Sequence, residues 1–201
     1  REYPLSKDNA DYALFIDSQP VGVVEAKKYG HTLSGVVEQS EKYLDGLHEK
    51  FTSAPIRPPF SYETTGIETT FADRRDPNHR SRHVFTFHRP ELLQTWYNEE
   101  TTLRARLSDI PKLNFDKLWD CQSEAITNLE DSFSQNKPRA LIQMATGSGK
   151  TFTAVTSIYR LIKFAKAKKI LFLVDRSNLG RQALREFQQY ATPDDGRKFT
   201  D

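Results

Sequence analysis

Ala140-Leu141-Ile142-Gln143-Met144-Ala145-Thr146-Gly147-Ser148-Gly149-Lys150-Thr151 joins an apolar run to a turn punctuated by glycine. Ala154, Val155, Ile158, Leu161 and Ile162 then recur at helical spacing, so the stretch predicts a buried strand, a tight loop and an amphipathic helix in succession. Glycines in such a loop let the backbone curl until its N–H groups cradle phosphates at the helix N-terminus. Thr146, Gly147, Ser148 and Gly149 would form the cradle, Lys150 would reach the terminal phosphates of ATP, and Thr151 would offer its hydroxyl to Mg²⁺. A glycine-rich turn without a ligand is the plain alternative.

Outward from the loop, a helix is expected from Asp120 to Phe133, a strand over Ile170-Leu-Phe-Leu-Val174 and a helix from about Asn178. Helix and strand in alternation predict a parallel α/β sheet. The other half reads differently. Tyr12, Leu14 and Ile16 alternate with their neighbours from Ala10 to Asp17, Ser18-Gln19-Pro20 reads as a turn, and a second strand follows from Pro20. Ser34, as cap, opens an expected helix to about Phe51, which Pro55, Pro58 and Pro59 terminate. Three short strands are expected at 60–64, 67–71 and 83–88, then a helix from Glu91 to Leu107. Ser108-Asp-Ile-Pro111 marks the junction, giving domains 1–110 and 111–201. The fold class expected is α/β, a mixed sheet followed by part of a parallel α/β domain.

Strand alternation puts Val21, Val23, Glu25 and Lys27 on one face, so two charges continue an apolar row. A buried, ionised Glu without a partner costs on the order of 3 to 5 kcal/mol, which a cation would offset. Asp11, on the preceding strand, can reach Glu25 across a hairpin, and together they would hold Mg²⁺ through hard oxygens. Bound Mg²⁺ activates water and neutralises charge on a phosphate, with Lys27 orienting the water: phosphodiester hydrolysis. A structural Glu25–Lys27 ion pair is the alternative. Arg74, Arg75, Arg80, Arg82 and Arg89 crowd a segment with only two acids, Asp73 and Asp76, and suit DNA phosphates better than a solvated loop.

Composition bounds rather than decides. Lys and Arg number 29 against 27 Asp and Glu, so net charge does not announce a nucleic-acid partner. The single cysteine, Cys121, excludes an internal disulfide and a thiolate zinc site, as in a reducing cytoplasmic compartment. No apolar run reaches membrane-span length, and a start at Arg1-Glu2-Tyr3 without an initiator Met reads as an internal piece.

Several motifs carry a resemblance. Met144 stands where the general phosphate loop has Gly, and Met-Ala-Thr-Gly-Ser-Gly-Lys-Thr resembles the first motif of superfamily 2 helicases and translocases. Trp119-Asp-Cys-Gln122 resembles the segment in which these motors read adenine, with Gln122 as the reader. Val174-Asp175-Arg176-x-x-Leu179-x-x-Gln182 resembles the version in motor subunits of type I restriction enzymes. Asp11 … Glu25-x-Lys27 resembles the PD-(D/E)xK nucleases, with Ala10 in place of the Pro, and Gln39-Ser-Glu-Lys-Tyr43 resembles the Gln-x-x-x-Tyr motif of the subgroup in those subunits. The resemblance implies a restriction-endonuclease-like domain before a RecA-like one, with Gln39 and Tyr43 joining the catalytic group. It also implies ATP-driven translocation of double-stranded DNA, Mg²⁺-dependent cleavage, and partnership with modification (methyltransferase) and specificity subunits. No second ATPase motif, arginine finger or second RecA-like domain is recognisable in the sequence. Two other readings stay open: a superfamily 2 repair helicase with a fused nuclease, and a DNA-binding module without catalysis.

Overall fold

The computed structural model describes residues 2–31, 33, 37–52, 54, 56–137, 139–175, 177–193 and 196–199. The chain divides into two compact units, Arg1–Thr102 and Leu103–Asp201.

The first unit is built on a five-stranded mixed sheet. Two short strands, β1 (Tyr3–Pro4) and β2 (Asn9–Ala10), pair beside it. The sheet runs β3 (Tyr12–Ile16), β4 (Gln19–Ala26), β5 (Phe60–Thr64), β6 (Thr69–Asp73) and β7 (Arg82–Val84) in that spatial order. Every pair is antiparallel except β4 and β5, which helix α1 (Val37–Lys50) connects as a crossover. The β3–β4 hairpin turns on Asp17 and Ser18, both in the left-handed region at φ 46° and 65°. That is the backbone a two-residue turn needs to match strand twist, and it puts the turn slightly earlier than Ser18-Gln19-Pro20. At Gly22 the next strand comes so close that an added Cβ would lie 2.4 Å from the Phe60 carbonyl oxygen.

Two cores lie on opposite faces. Ala10, Val23, Tyr43, Leu44 and Leu47 pack between the sheet and α1, whereas Val21, Phe60, Leu93 and Tyr97 pack on the face covered by helix α2 (Pro90–Tyr97). Val21 therefore does not share a face with Val23, Glu25 and Lys27, contrary to simple alternation. The cause is a bulge: Leu14 pairs Gly22 but Phe15 pairs Pro20, leaving Val21 as the extra residue that reverses the phase.

Other boundaries also moved. The expected helix from Glu91 to Leu107 is two helices, α2 and α3 (Leu103–Ser108). Arg75 explains the stop, because its Nη1 donates to the carbonyls of Trp96 at 3.0 Å and Glu99 at 3.3 Å, where the helix runs out of N–H partners. The strand expected at 67–71 lies at 69–73, and that at 83–88 is shortened to β7. Ser34, Pro55 and Arg176 fall outside the described residues.

The second unit contains α3, α4 (Asp120–Ser134), α5 (Lys150–Lys163) and α6 (Ser177–Gln189). Val155, Tyr159 and Tyr190 form its core with Phe152, Phe187 and Phe199 against them. Arg160 of α5 grips Glu130 of α4 through Nε at 2.6 Å and Nη2 at 2.9 Å. The expected strands at 140–144 and 170–174 do not form, and no parallel sheet is present among the described residues of this unit. Leu141, Leu171 and Leu173 are 93%, 81% and 80% exposed. A parallel strand has no stability alone: its N–H and C=O groups need a neighbour on each side, and these two segments pair neither with each other nor with another strand here.

Candidate active site and nucleotide loop

The bulge sets which face carries chemistry. Beyond it, Val23 packs on α1, so Glu25 two residues on lies on the same face, at the end where β4 hands over to the crossover. Extending the β3–β4 register one step past Tyr12↔Val24 brings Asp11 opposite Glu25, and Asp11 Oδ2 accepts the Ala26 N–H at 2.7 Å. Glu25 is 4% exposed and paired with the Lys27 ammonium. Lys27 Nζ also donates to Gln39 Oε1 at 3.1 Å, and Gln39 Nε2 donates to the Tyr43 hydroxyl at 2.6 Å. Gln39 and Tyr43 stand four apart on α1, one above the other on one helix face. One chain of contacts thus runs Glu25, Lys27, Gln39, Tyr43, with Asp11 on the adjoining strand. The hydrogen bond to Glu25 raises the Lys27 pKa above its usual 10.5; partial burial opposes this, and the charges of Glu25, Tyr43 and Asp11 add to it. Lys27 is a fixed cation at any neutral pH.

The sequence reading missed one residue of this face. Glu63 on β5 is the parallel-ladder partner of Glu25, and it is completely buried. Its Oε2 accepts from Thr70 Oγ1 at 2.5 Å and Ser81 Oγ at 2.8 Å. The signal was present, since Phe60 and Tyr62 alternate with Ser61 and Glu63, a charge in a buried strand just as Glu25 is.

A divalent cation fits the donor chemistry of Asp11 and Glu25, which are carboxylates on adjacent strands and one face. As arranged here each acid is engaged separately, and among the described residues no three His, Cys, Asp or Glu side chains converge closely enough to hold an ion.

Three of the candidate DNA-binding arginines are engaged within the unit. Arg74 bridges Glu41 and, at 2.9 Å, Asp45 on α1; Arg75 holds Asp73 through two nitrogens; Arg82 pairs with Asp76 at 3.2 Å. Arg80 is exposed.

In the second unit, Gly147 and Gly149 take φ of +83° and +75°, the left-handed conformation the loop needs to turn into α5. Gln122 is buried beside it: its Oε1 accepts the Trp119 N–H at 3.0 Å, and its Nε2 donates to the Ser148 carbonyl at 2.9 Å. A Cβ on Gly149 would collide with that Nε2 at 2.4 Å, so the glycine is required by Gln122 as well as by φ. Lys150 Nζ folds back on the loop, donating to the Ala145 carbonyl at 2.9 Å and, more weakly, to Met144 at 3.4 Å. The α5 N-terminus, the two glycines and the lysine fit a phosphate group. Thr151 begins the helix half-buried, and Thr146 is exposed. Among the described residues no helix is long and apolar enough to cross a membrane.

Residues 1–61 match the family described as Type I restriction enzyme EcoKI endonuclease subunit second domain, and residues 115–200 the family described as Type III restriction enzyme, res subunit. The chain is 31% identical to the Type I restriction enzyme EcoKI endonuclease subunit of Escherichia coli K12, over 93% of this chain and 20% of that protein. It is 28% identical to the EcoAI endonuclease subunit of Escherichia coli, over 86% of this chain and 22% of that protein. A solved fragment described as an HsdR subunit of a type I restriction enzyme from Vibrio vulnificus YJ016 is 24% identical, with a TM-score of 0.35, over 81% of this chain and 30% of that one. The chain spans about a fifth of the length of the curated relatives it matches.

Proposed function

Because the chain is a segment of the family of type I restriction enzyme endonuclease subunits, we propose that its first domain, residues 1–110, cuts double-stranded DNA and that residues 111–201 open an ATP-driven, RecA-like translocase. The observation that carries the first half is the joined group of Glu25, Lys27, Gln39 and Tyr43 with Asp11 on the next strand.

In this reading the domain is a PD-(D/E)xK nuclease. Asp11 and Glu25 hold Mg²⁺, which when bound supplies an activated water and neutralises charge on the scissile phosphate. The protein's own groups do the positioning. Lys27, kept protonated, places a positive charge beside the phosphate. Gln39 fixes the Lys27 ammonium through its carbonyl oxygen, and Tyr43 fixes the Gln39 amide, so the orientation of Lys27 is set by α1. Arg80, the exposed member of the basic segment, is the candidate for a DNA phosphate contact. Arg74, Arg75 and Arg82 contribute positive potential from within their ion pairs, not direct hydrogen bonds.

In the second half, the loop 146–151 and Lys150 bind the phosphates of ATP. Gln122, joined to the Ser148 carbonyl, links adenine recognition to the loop's shape. Modification and specificity subunits are the proposed protein partners. A second reading, DNA binding without cleavage, draws on the Lys27–Glu25 pair and on the absence of a convergent acid cluster among the described residues.

The test is cleavage of linear and supercoiled DNA with Mg²⁺ and ATP by the full-length subunit in its reconstituted complex. Glu25→Ala is expected to lower cutting by at least about 100-fold, the loss of a few kcal/mol of transition-state stabilisation, and to leave ATP hydrolysis intact. Lys150→Ala is expected to abolish ATP hydrolysis. Cutting that survives Glu25→Ala makes Glu25 structural, and a parent complex that binds DNA without cutting it selects the second reading.

A further inference from the structure

One rung of the first unit's sheet carries three acids in succession. Asp11 stands opposite Glu25 across the antiparallel β3–β4 pair, and Glu63 stands beside Glu25 across the parallel β4–β5 pair. Ladder partners point to the same face and sit about 5 Å apart at Cα. Two of the acids are compensated: Asp11 by a backbone N–H, Glu25 by the Lys27 ammonium. Glu63 is not. It is fully buried, no cation pairs with it among the described residues, and its Oε1 has no hydrogen-bond partner.

Two hydroxyls, from Thr70 on β6 and Ser81 before β7, hold the other oxygen and fix the carboxylate in place. A staple joining β5, β6 and Ser81 would need only a neutral acceptor. A Gln would receive the same two hydroxyls without a buried charge, and a fully desolvated carboxylate with a free oxygen is among the costliest groups a core can hold. The charge therefore calls for a reason other than the staple. A second unpartnered polar atom lies under the same helix: Ser40 Oγ, fully buried, directly follows Gln39 on α1.

We propose that Glu63 is the third acid of the cation site, a positioning residue that lends negative charge and a free oxygen to a divalent cation, or to its bound water, held by Asp11 and Glu25. The proposal rests on the reading of Asp11 and Glu25 as cation ligands. In the absence of the cation, Lys27 alone balances the rung. With the cation bound, three acids and one lysine leave a net charge near that of the ion, which favours binding in a low-dielectric setting.

The experiment is a Mg²⁺ titration of the chain followed by the side-chain carboxyl ¹³C signals, in the parent protein, Glu63→Gln and Glu25→Gln, with melting curves in parallel. In the parent, the Glu63 and Glu25 signals are expected to move together with one Kd. In Glu63→Gln the Kd read at Glu25 is expected to weaken by about 10- to 100-fold, as for loss of an outer-shell partner, while the cation-free protein melts no lower than the parent. A Glu63 signal that stays still while Glu25 shifts overturns the proposal without any variant, as does an unchanged Kd in Glu63→Gln. A Glu63→Gln protein that melts several degrees lower at unchanged Kd shows a purely structural staple. If Mg²⁺ moves neither signal in the parent, or Glu25→Gln leaves the titration unchanged, the cation reading of Asp11 and Glu25 fails first and this proposal with it.

Discussion

The two units treat apolar strand sequence in opposite ways. In the first, Val23 on β4 and Phe60 on β5 are completely buried, each strand hydrogen-bonded on both sides within a five-stranded sheet. In the second, Ala140–Met144 and Ile170–Val174 are as apolar as any strand in the chain, yet they form none and lie largely in solvent. The difference teaches that burial of a β segment belongs to the sheet, not to the segment: without two neighbours, its backbone groups and its side chains both stay with water.

This contrast predicts a large difference between two leucines. Leu44→Ala, in the fully buried α1 core, is expected to cost about 2 to 5 kcal/mol. That lowers the first unit's melting temperature by about 10 °C or more. Leu173→Ala, at 80% exposure, is expected to change stability by less than about 0.5 kcal/mol. Differential scanning calorimetry with both variants decides it, and a comparable loss from Leu173→Ala would mean that segment is packed in solution.

A smaller effect links the two units through a device they share. Each has an arginine that takes both oxygens of a carboxylate and a main-chain carbonyl: Arg75 with Asp73 and the end of α2, Arg160 with Glu130 and Pro111. Truncation to Ala in either is expected to cost about 1.5 to 3 kcal/mol, the range for hydrogen bonds to charged groups. Lys at either position should recover little, because it cannot present the planar fork. Chemical denaturation of the four variants tests this; full rescue by Arg75→Lys would show that charge alone matters.

What was legible in the sequence follows the same division. The order of elements in the first unit, the crossover helix and the grouping of Asp11, Glu25, Lys27, Gln39 and Tyr43 on one face were readable, because period-2 and period-3.6 patterns are local. The bulge that turned Val21 to the other face was not, since a one-residue register shift leaves no local pattern. Glu63 was missed because its partnership with Glu25 crosses 38 positions of sequence by way of a parallel pairing. Nor could the basic segment show that Arg74 and Arg82 are taken up by Glu41, Asp45 and Asp76. In the second unit the loop and helices were readable, as was a place for Gln122 near the loop, whereas the strands depended on partners that a local reading cannot count.

The smallest predicted effect is confined to one unit by composition alone, since all five histidines, His31, His48, His79, His83 and His88, precede residue 103. His88 lies against the rings of Phe71 and Trp96, with centroids 4.7 and 4.8 Å away, and its Nδ1 meets the Tyr62 hydroxyl at 2.7 Å. Burial pushes the Tyr62 pKa up to about 12, so the phenol keeps its proton and donates it to a neutral His88. Burial also lowers the His88 pKa from its usual 6.5. The unfolded chain therefore binds the proton first as pH falls below 6.5, and the stability held by neutral His88 is lost from there downward, with no change above. Between pH 7 and pH 5 the loss should shift the first unit's melting temperature by less than about 4 °C, equivalent to under about 1 kcal/mol. The second unit should show no histidine contribution. Subtracting the melting curve of His88→Gln from that of the parent isolates the effect. A difference that grows toward acid pH supports the neutral, phenol-accepting imidazole, whereas a flat difference would mean His88 titrates alike in the folded and unfolded protein.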